Sequence, residues 1–269
     1  MTEQQNPAGA FAGMHRRGEP LLLPNAWDAA SAVAVVRAGA PAVATTSAGV
    51  AWSLGIPDGA DLGAGRAAGV VRRITAAVDV PVSADIEAGY GSIVDTVVAV
   101  VEAGAVGVNI EDRVGTGLLE PAEQARRLAS ARAAADRLGV RVWVNARTDV
   151  YLLGVGAPET RLGSTMERAR AYADAGVDSI FVPGLTDLDA IAALSDGPLP
   201  VAVMAFPGAP TVAGFTAAGA VRISLGSAIA QAAYAVAARA TTELLTKGTY
   251  DSCADALPYG EFNALFRTG

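Results

Sequence analysis

Polar side chains able to do chemistry recur at alternate positions in three short segments of the chain. In PVSADIEAGYG (81–91), Ser83, Asp85 and Glu87 alternate with Ala84 and Ile86; in GVNIEDR (107–113), Asn109 and Glu111 flank Ile110; in NARTDVYL (145–152), Asn145, Arg147 and Asp149 alternate with Ala146 and Thr148. A period of two places each set on one face of a strand. A polar face turned into a buried sheet is costly unless its groups are paired or hold a ligand. Asp85, Glu87 and Glu111 gathered near one point repel one another and bind protons more tightly unless a cation sits among them. With one His and one Cys in the chain, the available ligands are hard oxygens, which favours Mg²⁺ or Mn²⁺ over Zn²⁺. Arg147 can grip a carboxylate or phosphate through two parallel hydrogen bonds, or it can belong to a buried ion network with Asp149 that ties the strands together.

A second segment, Thr45-Thr46-Ser47-Ala48-Gly49, is followed by the turn Pro57-Asp58-Gly59. A small polar strand end at Thr46, Ser47 and Ala48 can present backbone N–H groups to an anionic oxygen, and the turn can bring Asp58 back over the same place.

These residues need a scaffold that brings several strand ends together. Ala38-Gly39-Ala40, Ala103-Gly104-Ala105, Leu138-Gly139-Val140, Ala175-Gly176-Val177 and Ala218-Gly219-Ala220 each close a helical pattern before a short apolar run. Each reads as a helix ended by a glycine at positive φ, then a tight turn into a buried strand. Strands are expected over 21–27, 42–48, 80–87, 107–112, 141–149, 179–183, 201–206 and 222–225, with a helix from Pro121 to Leu138. Eight βα units with no compositional break predict one α/β domain over 1–269, a closed (β/α)8 TIM barrel, with an open doubly wound sheet as the other arrangement. Residues 227–246 read as an Ala-rich helix whose apolar positions cover more than one stripe, and 249–269 as a tail with its own helix. Residues 227–269 are accordingly expected at a subunit contact of a homodimer or homotetramer, or else packed on their own barrel.

The balance of 20 Lys and Arg against 27 Asp and Glu gives a net charge of −7, and the Arg pairs are scattered. That argues against nucleic acid as a partner. One Cys excludes an internal disulfide framework and a Cys-rich zinc site. Residues 1–20 lack the apolar stretch of a signal peptide, and no apolar run approaches the roughly 18 residues that cross a bilayer. A cytoplasmic protein with a small-molecule carboxylate as its partner is expected. At 52% hydrophobic but only 6% aromatic residues, the core is built of Ala, Val, Leu and Ile.

The segments PNAWDAASA (24–32), TTSAGVAWSLGIPD (45–58), PVSADIEAGYG, GVNIEDR and NARTDVYL, in this order, resemble the isocitrate lyase and phosphoenolpyruvate mutase superfamily. The resemblance implies a barrel, a Mg²⁺ site, 2-oxo acid or enolate chemistry and oligomers that exchange a C-terminal helix. It makes Asp85 the nearest metal ligand, with Glu87, Glu111 and Asp58 holding the ion directly or through water. Ser47 and Ala48, with Thr46 and Asn145, would bind the substrate carboxylate or enolate oxygen, and Arg147 would clamp the reacting group. Catalytic roles then fall to Arg147, Asp58 and Glu111, and metal binding to Asp85, Glu87 and Glu111. The stretch Arg113 to Glu120 (RVGTGLLE) departs from the lyases, which carry a basic pair, a Cys and a His in the corresponding loop.

The expected activity is Mg²⁺-dependent C–C cleavage of a small 2-oxo or 2-hydroxy acid, of which oxaloacetate decarboxylation is the simplest case. Phosphorus–carbon chemistry on phosphonopyruvate, with Asp58 accepting the phosphoryl group, is the alternative. A metal-dependent oxo-acid binder without turnover is a third.

Overall fold

The computed structural model describes residues 6–266. In chain order its elements are α1 (Pro7–Gly13), β1 (Leu21–Leu23), β2 (Asn25–Ala26), α2 (Ala29–Arg37), β3 (Val43–Thr45), α3 (Ser47–Ser53), α4 (Ala64–Ala77), β4 (Val82–Asp85), α5 (Ile93–Glu102), β5 (Gly107–Glu111), the hairpin β6 (Arg113–Val114) and β7 (Gly117–Leu118), α6 (Pro121–Arg137), β8 (Trp143–Arg147), α7 (Arg161–Asp174), β9 (Ser179–Phe181), α8 (Leu188–Ser195), β10 (Val201–Met204), α9 (Val212–Ala217), β11 (Ala220–Ser224), α10 (Ala228–Lys247) and α11 (Tyr259–Asn263). Apart from the hairpin, every strand pairing is parallel, in the order β1-β11-β10-β9-β8-β5-β4-β3-β2.

The two ends of that sheet are halves of one strand. Pro24 has no N–H to give the ladder, and it divides β1, which pairs with β11, from β2, which pairs with β3. The Asn25 side chain bridges the break, its Nδ2 donating to Thr45 O at 3.2 Å and its Oδ1 accepting from Leu225 N at 3.0 Å. The fold is therefore the (β/α)8 barrel, and all eight expected strands are present. Gly39, Gly104, Gly139, Gly176 and Gly219 all have positive φ, as the helix-ending pattern requires.

The N-terminal end of the barrel is plugged by α1, an element absent from the sequence reading. Phe11 is fully buried there among Leu21, Leu23, Ala42, Ala44 and Val106. Gly107 makes room for it: a Cβ at that position would stand 2.7 Å from Phe11 Cε1. His15 stacks on Trp143 with ring centroids 4.0 Å apart, and burial, aided by the charge of Arg222, pushes its pKa down to about 3. The lone histidine is thus a structural group at the end of the barrel remote from the strand C-termini.

Among the described residues no helix is long and apolar enough to cross a membrane. Helix α10 has one buried residue, Ala230, sets Tyr234 beside Trp27 and Trp52, and exposes Val236, Leu244 and Leu245.

Candidate active site

The C-terminal strand ends carry the side chains singled out by period two, and two adjoining cavities lie there. One, of about 290 Å³, runs beside the β6–β7 hairpin and is lined by Asp58, Glu87, Glu111, Arg113 and Arg147 among others. The other, of about 180 Å³, descends into the barrel mouth past Asn25, Thr46, Ala48, Asp85 and Asn109. Ser47, Asp58 and Arg147 line both.

Arg147 organises this space. Its Nε and Nη2 bind the two oxygens of Asp149 at 2.6 and 2.9 Å, and its Nη1 stands 2.9 Å from Glu111 Oε2 and 3.9 Å from Asp85 Oδ2. Burial opposes its charge, yet Glu111, Asp149 and Asp85 hold the guanidinium more firmly protonated than usual. Asp149 is anchored from outside the barrel: its N–H donates to Asp112 at 3.1 Å, whose other oxygen accepts from Arg168 and Tyr172 of α7, each at 2.9 Å. The question left open by spacing is resolved for Asp149, which is the fully buried partner that orients Arg147.

Three carboxyls near Arg147, those of Asp85, Glu87 and Glu111, hold their protons unusually well. Burial, partly offset by Arg147, raises the pKa of Asp85. Burial first, then the charges of Asp85 and Asp58, lift Glu87 to about 7. Glu111 rises to about 8 through burial, although Arg147 pulls the other way. Such carboxyls are held in a place that favours an added positive charge.

Two expectations about this site need correction. Strand β4 ends at Asp85, and Glu87 reaches the cavity through a left-handed turn with φ 49°, beside Tyr90 at φ 41°. Both are strained for residues with a side chain. The turn holds because Asp85 Oδ1 accepts the Glu87 N–H at 3.1 Å and Tyr90 donates to Glu87 Oε1 at 3.2 Å. Second, Asp85, Glu87 and Glu111 do not form a ready three-carboxylate cage: among the described residues no group of three His, Cys, Asp or Glu stands close enough to hold an ion. Arg147 is the reason, since it occupies Glu111.

A hydrated cation still fits. Mg²⁺ commonly keeps several waters and binds through one or two carboxylates plus its substrate. Asp85 lines the barrel cavity as one such donor, while Glu87, Glu111 and Asp58 line the adjoining hairpin cavity.

The TTSAG segment also differs from its reading as a strand end. Strand β3 stops at Thr45, and Ser47 begins α3, whose N-cap Thr46 makes no side-chain cap. The first N–H groups of a helix have no intrahelical acceptor, and Ser47 and Ala48, at the start of α3, line the cavity. Thr45 instead accepts the Asp85 N–H on its hydroxyl at 2.8 Å.

Asn145, expected to bind substrate, is spent elsewhere. It is fully buried below the cavity, donating to Asn109 Oδ1 at 2.9 Å and accepting from Ser179 at 2.6 Å. Three participants escaped the sequence reading: Asn25 through its bridging bonds, Tyr90 through its contact with Glu87, and Arg222, fully buried on β11 and donating to Asn109 at 3.1 Å. Only the alternation of Arg222 within an apolar strand could have marked it.

The sequence model of the phosphoenolpyruvate phosphomutase family matches residues 11–245. The chain belongs to the isocitrate lyase/phosphoenolpyruvate mutase superfamily. It is 37% identical to an uncharacterized protein of Mycobacterium tuberculosis, over 95% of each chain. It is 33% identical to oxaloacetate decarboxylase of Bradyrhizobium, over 78% of this chain and 75% of that one. A crystal structure of a proposed lyase/mutase from Burkholderia cenocepacia superposes with a TM-score of 0.90 at 36% identity, covering 98% of this chain and 97% of the other.

Proposed function

We propose that the chain is a Mg²⁺-dependent carbon–carbon lyase acting on a small 2-oxo or 2-hydroxy carboxylic acid, oxaloacetate decarboxylation being the simplest case. The observation that carries this reading is that Asp85 and the uncapped first turn of α3 line one small cavity from adjacent strands. A cation held at Asp85 and N–H donors at Ser47 and Ala48 together suit the adjacent oxygens of a 2-oxo acid head.

Mg²⁺, or Mn²⁺, would supply a positive charge against the negative charge that builds on the 2-oxo oxygen as the C–C bond breaks. Asp85 would hold it, with Glu87, Glu111 and Asp58 as the nearby acidic side chains. Ser47 and Ala48 bind the head-group carboxylate, and Arg147, fixed by Asp149, keeps a positive charge beside the reacting group. No His or Cys is at hand, because His15 lies at the far end of the barrel and Cys253 is exposed. Decarboxylation needs no acid in its bond-breaking step, which supports that type of reaction over ones needing a placed proton donor. The hairpin cavity offers one further cation, Arg113. A transferring phosphoryl group would ask for more free cations than this one.

The relationship to oxaloacetate decarboxylase supports the same reading. The exposed apolar face of α10 further supports a homodimer or homotetramer built on residues 227–269. The test is product formation by purified protein with Mg²⁺ across C3–C6 2-oxo and 2-hydroxy acids. Turnover of any one supports the reading, and turnover of none overturns it. A changed phosphorus NMR spectrum with phosphonopyruvate would move the assignment to phosphorus–carbon chemistry.

A further inference from the structure

The barrel cavity is walled differently on its two sides. Asp85, Asp58, Asn25 and Asn109 come from the β2–β5 side of the barrel mouth; Leu152, Phe181, Pro183 and Met204 come from the β8–β10 side, its apolar end, with Ser224 paired to Met204. The apolar end is built, since two glycines at positive φ bring its side chains into place. A Cβ on Gly184 (φ 84°) would lie 3.0 Å from Leu152 N, so glycine lets the 150–153 turn pack down and present Leu152. A Cβ on Gly226 (φ 56°) would lie 2.5 Å from Met204 Sδ, so glycine gives the thioether its seat.

Among the described residues Arg147 is the only cationic side chain lining this cavity, and three carboxylates already surround it. Arg222 is sealed at 1% exposure beneath Asn109. An anionic group carried to the apolar end would lose its water and find as counter-charge only Arg147, which stands beside Phe181 in the β8–β9 register and is already held by three carboxylates. A methyl or methylene group there would instead gain from leaving water.

Resting on the functional reading above, we propose that Leu152, Phe181, Pro183 and Met204 form a specificity subsite for an uncharged alkyl substituent. The substrate is then a 2-oxo or 2-hydroxy acid carrying a short alkyl group, with no second carboxylate on this side. The cavity of about 180 Å³ holds a C3 head and a few further carbons.

Calorimetric titration of the wild-type protein in Mg²⁺ with pyruvate, 2-oxobutanoate, 2-oxopentanoate and 2-oxopentanedioate tests this by binding, without turnover. Affinity should rise about fourfold for each added methylene. 2-Oxopentanoate should bind at least about tenfold more tightly than the dicarboxylate of equal length, one full step on the affinity scale. Leu152→Arg, at a position 42% exposed, should narrow or reverse that last preference. Equal or tighter binding of 2-oxopentanedioate by wild type, or a preference unmoved in the variant, overturns the subsite and leaves the lyase reading standing. Binding of none of the four overturns both. Should the variant not fold, the wild-type ranking decides alone.

Discussion

Arg147 and Asp149, two residues apart on one strand face, join through two parallel hydrogen bonds of 2.6 and 2.9 Å, with the carboxylate wholly buried. The third nitrogen of the same guanidinium serves Glu111 at 2.9 Å. Arg147→Ala leaves two buried carboxyls without their cation, so the variant should lose about 3–5 kcal/mol of stability as well as activity. Chemical denaturation beside wild type measures it. A loss within about 0.5 kcal/mol, the range of an ordinary surface change, would show that Asp149 does not depend on its partner.

Metal-free stability should fall as pH rises from 6.5 to 8.5. Glu87 and Glu111 have folded pKa values raised to about 7 and about 8 by burial. A raised carboxyl contributes stability that is complete below its unfolded pKa and is lost as pH climbs through the folded one. His15 has the opposite sign, but its window lies below 6.5, between the unfolded value and about 3. Each carboxyl can contribute a slope of at most about 1.4 kcal/mol per pH unit. Denaturation in a chelator and in Mg²⁺ should show the slope reduced by the cation.

Gly107→Ala should destabilise by about 1–3 kcal/mol, since its methyl would meet the Phe11 ring at 2.7 Å and Ser83 Oγ at 3.0 Å. Phe11→Ala, which empties the plug, should cost about 3–5 kcal/mol. If thermal unfolding of both variants matched wild type, α1 would not be part of the cooperative unit.

What could be read in advance follows from the range of the interactions involved. The presence of eight strands, the glycine helix ends and the shared face of Asp85, Glu111 and Arg147 are set by local periodicity and are found, whereas the strand ends at Thr45 and Asp85 and the break at Pro24 are not. Phe11 gave no such signal, because a seven-residue helix has almost no period and its partners lie on strands up to about a hundred residues away. Ser47 looked like a strand continuing from Thr45, and only its place over the barrel mouth makes it a helix start. Asn145 and Arg147 stand on one face and are indistinguishable by alternation, yet one lies below the cavity and one lines it. Depth along the barrel axis decides that, and it depends on the stagger of neighbouring strands.

Helix α10 and the tail expose Leu244 at 56%, Leu245 at 79% and Tyr259 at 85%. So much clustered apolar surface suits an interface between copies. Light scattering should give a mass at least twice the 27.0 kDa of the chain, and Leu244→Glu with Leu245→Glu should shift it toward the monomer. A monomeric wild type at micromolar concentration would refute the interface.

Asp85 separates chemistry from structure most directly. Its carboxyl is pushed up by burial and by neighbouring acids, so removing its charge relieves repulsion in the metal-free barrel while taking away the best-placed cation ligand. Asp85→Asn keeps the oxygen that accepts the Glu87 N–H and with it the left-handed turn; Asp85→Ala does not. The Asn variant should therefore keep the melting temperature of the metal-free wild type within a few degrees, yet bind Mg²⁺ at least about tenfold more weakly and lose turnover. The Ala variant should add a modest loss of stability as the Glu87 turn loosens. Calorimetric titration with Mg²⁺ beside thermal melts distinguishes the two effects. Unchanged Mg²⁺ affinity in Asp85→Asn would take the cation away from Asp85 and leave Glu87 and Asp58, on the hairpin side of Arg147, as its remaining acidic neighbours.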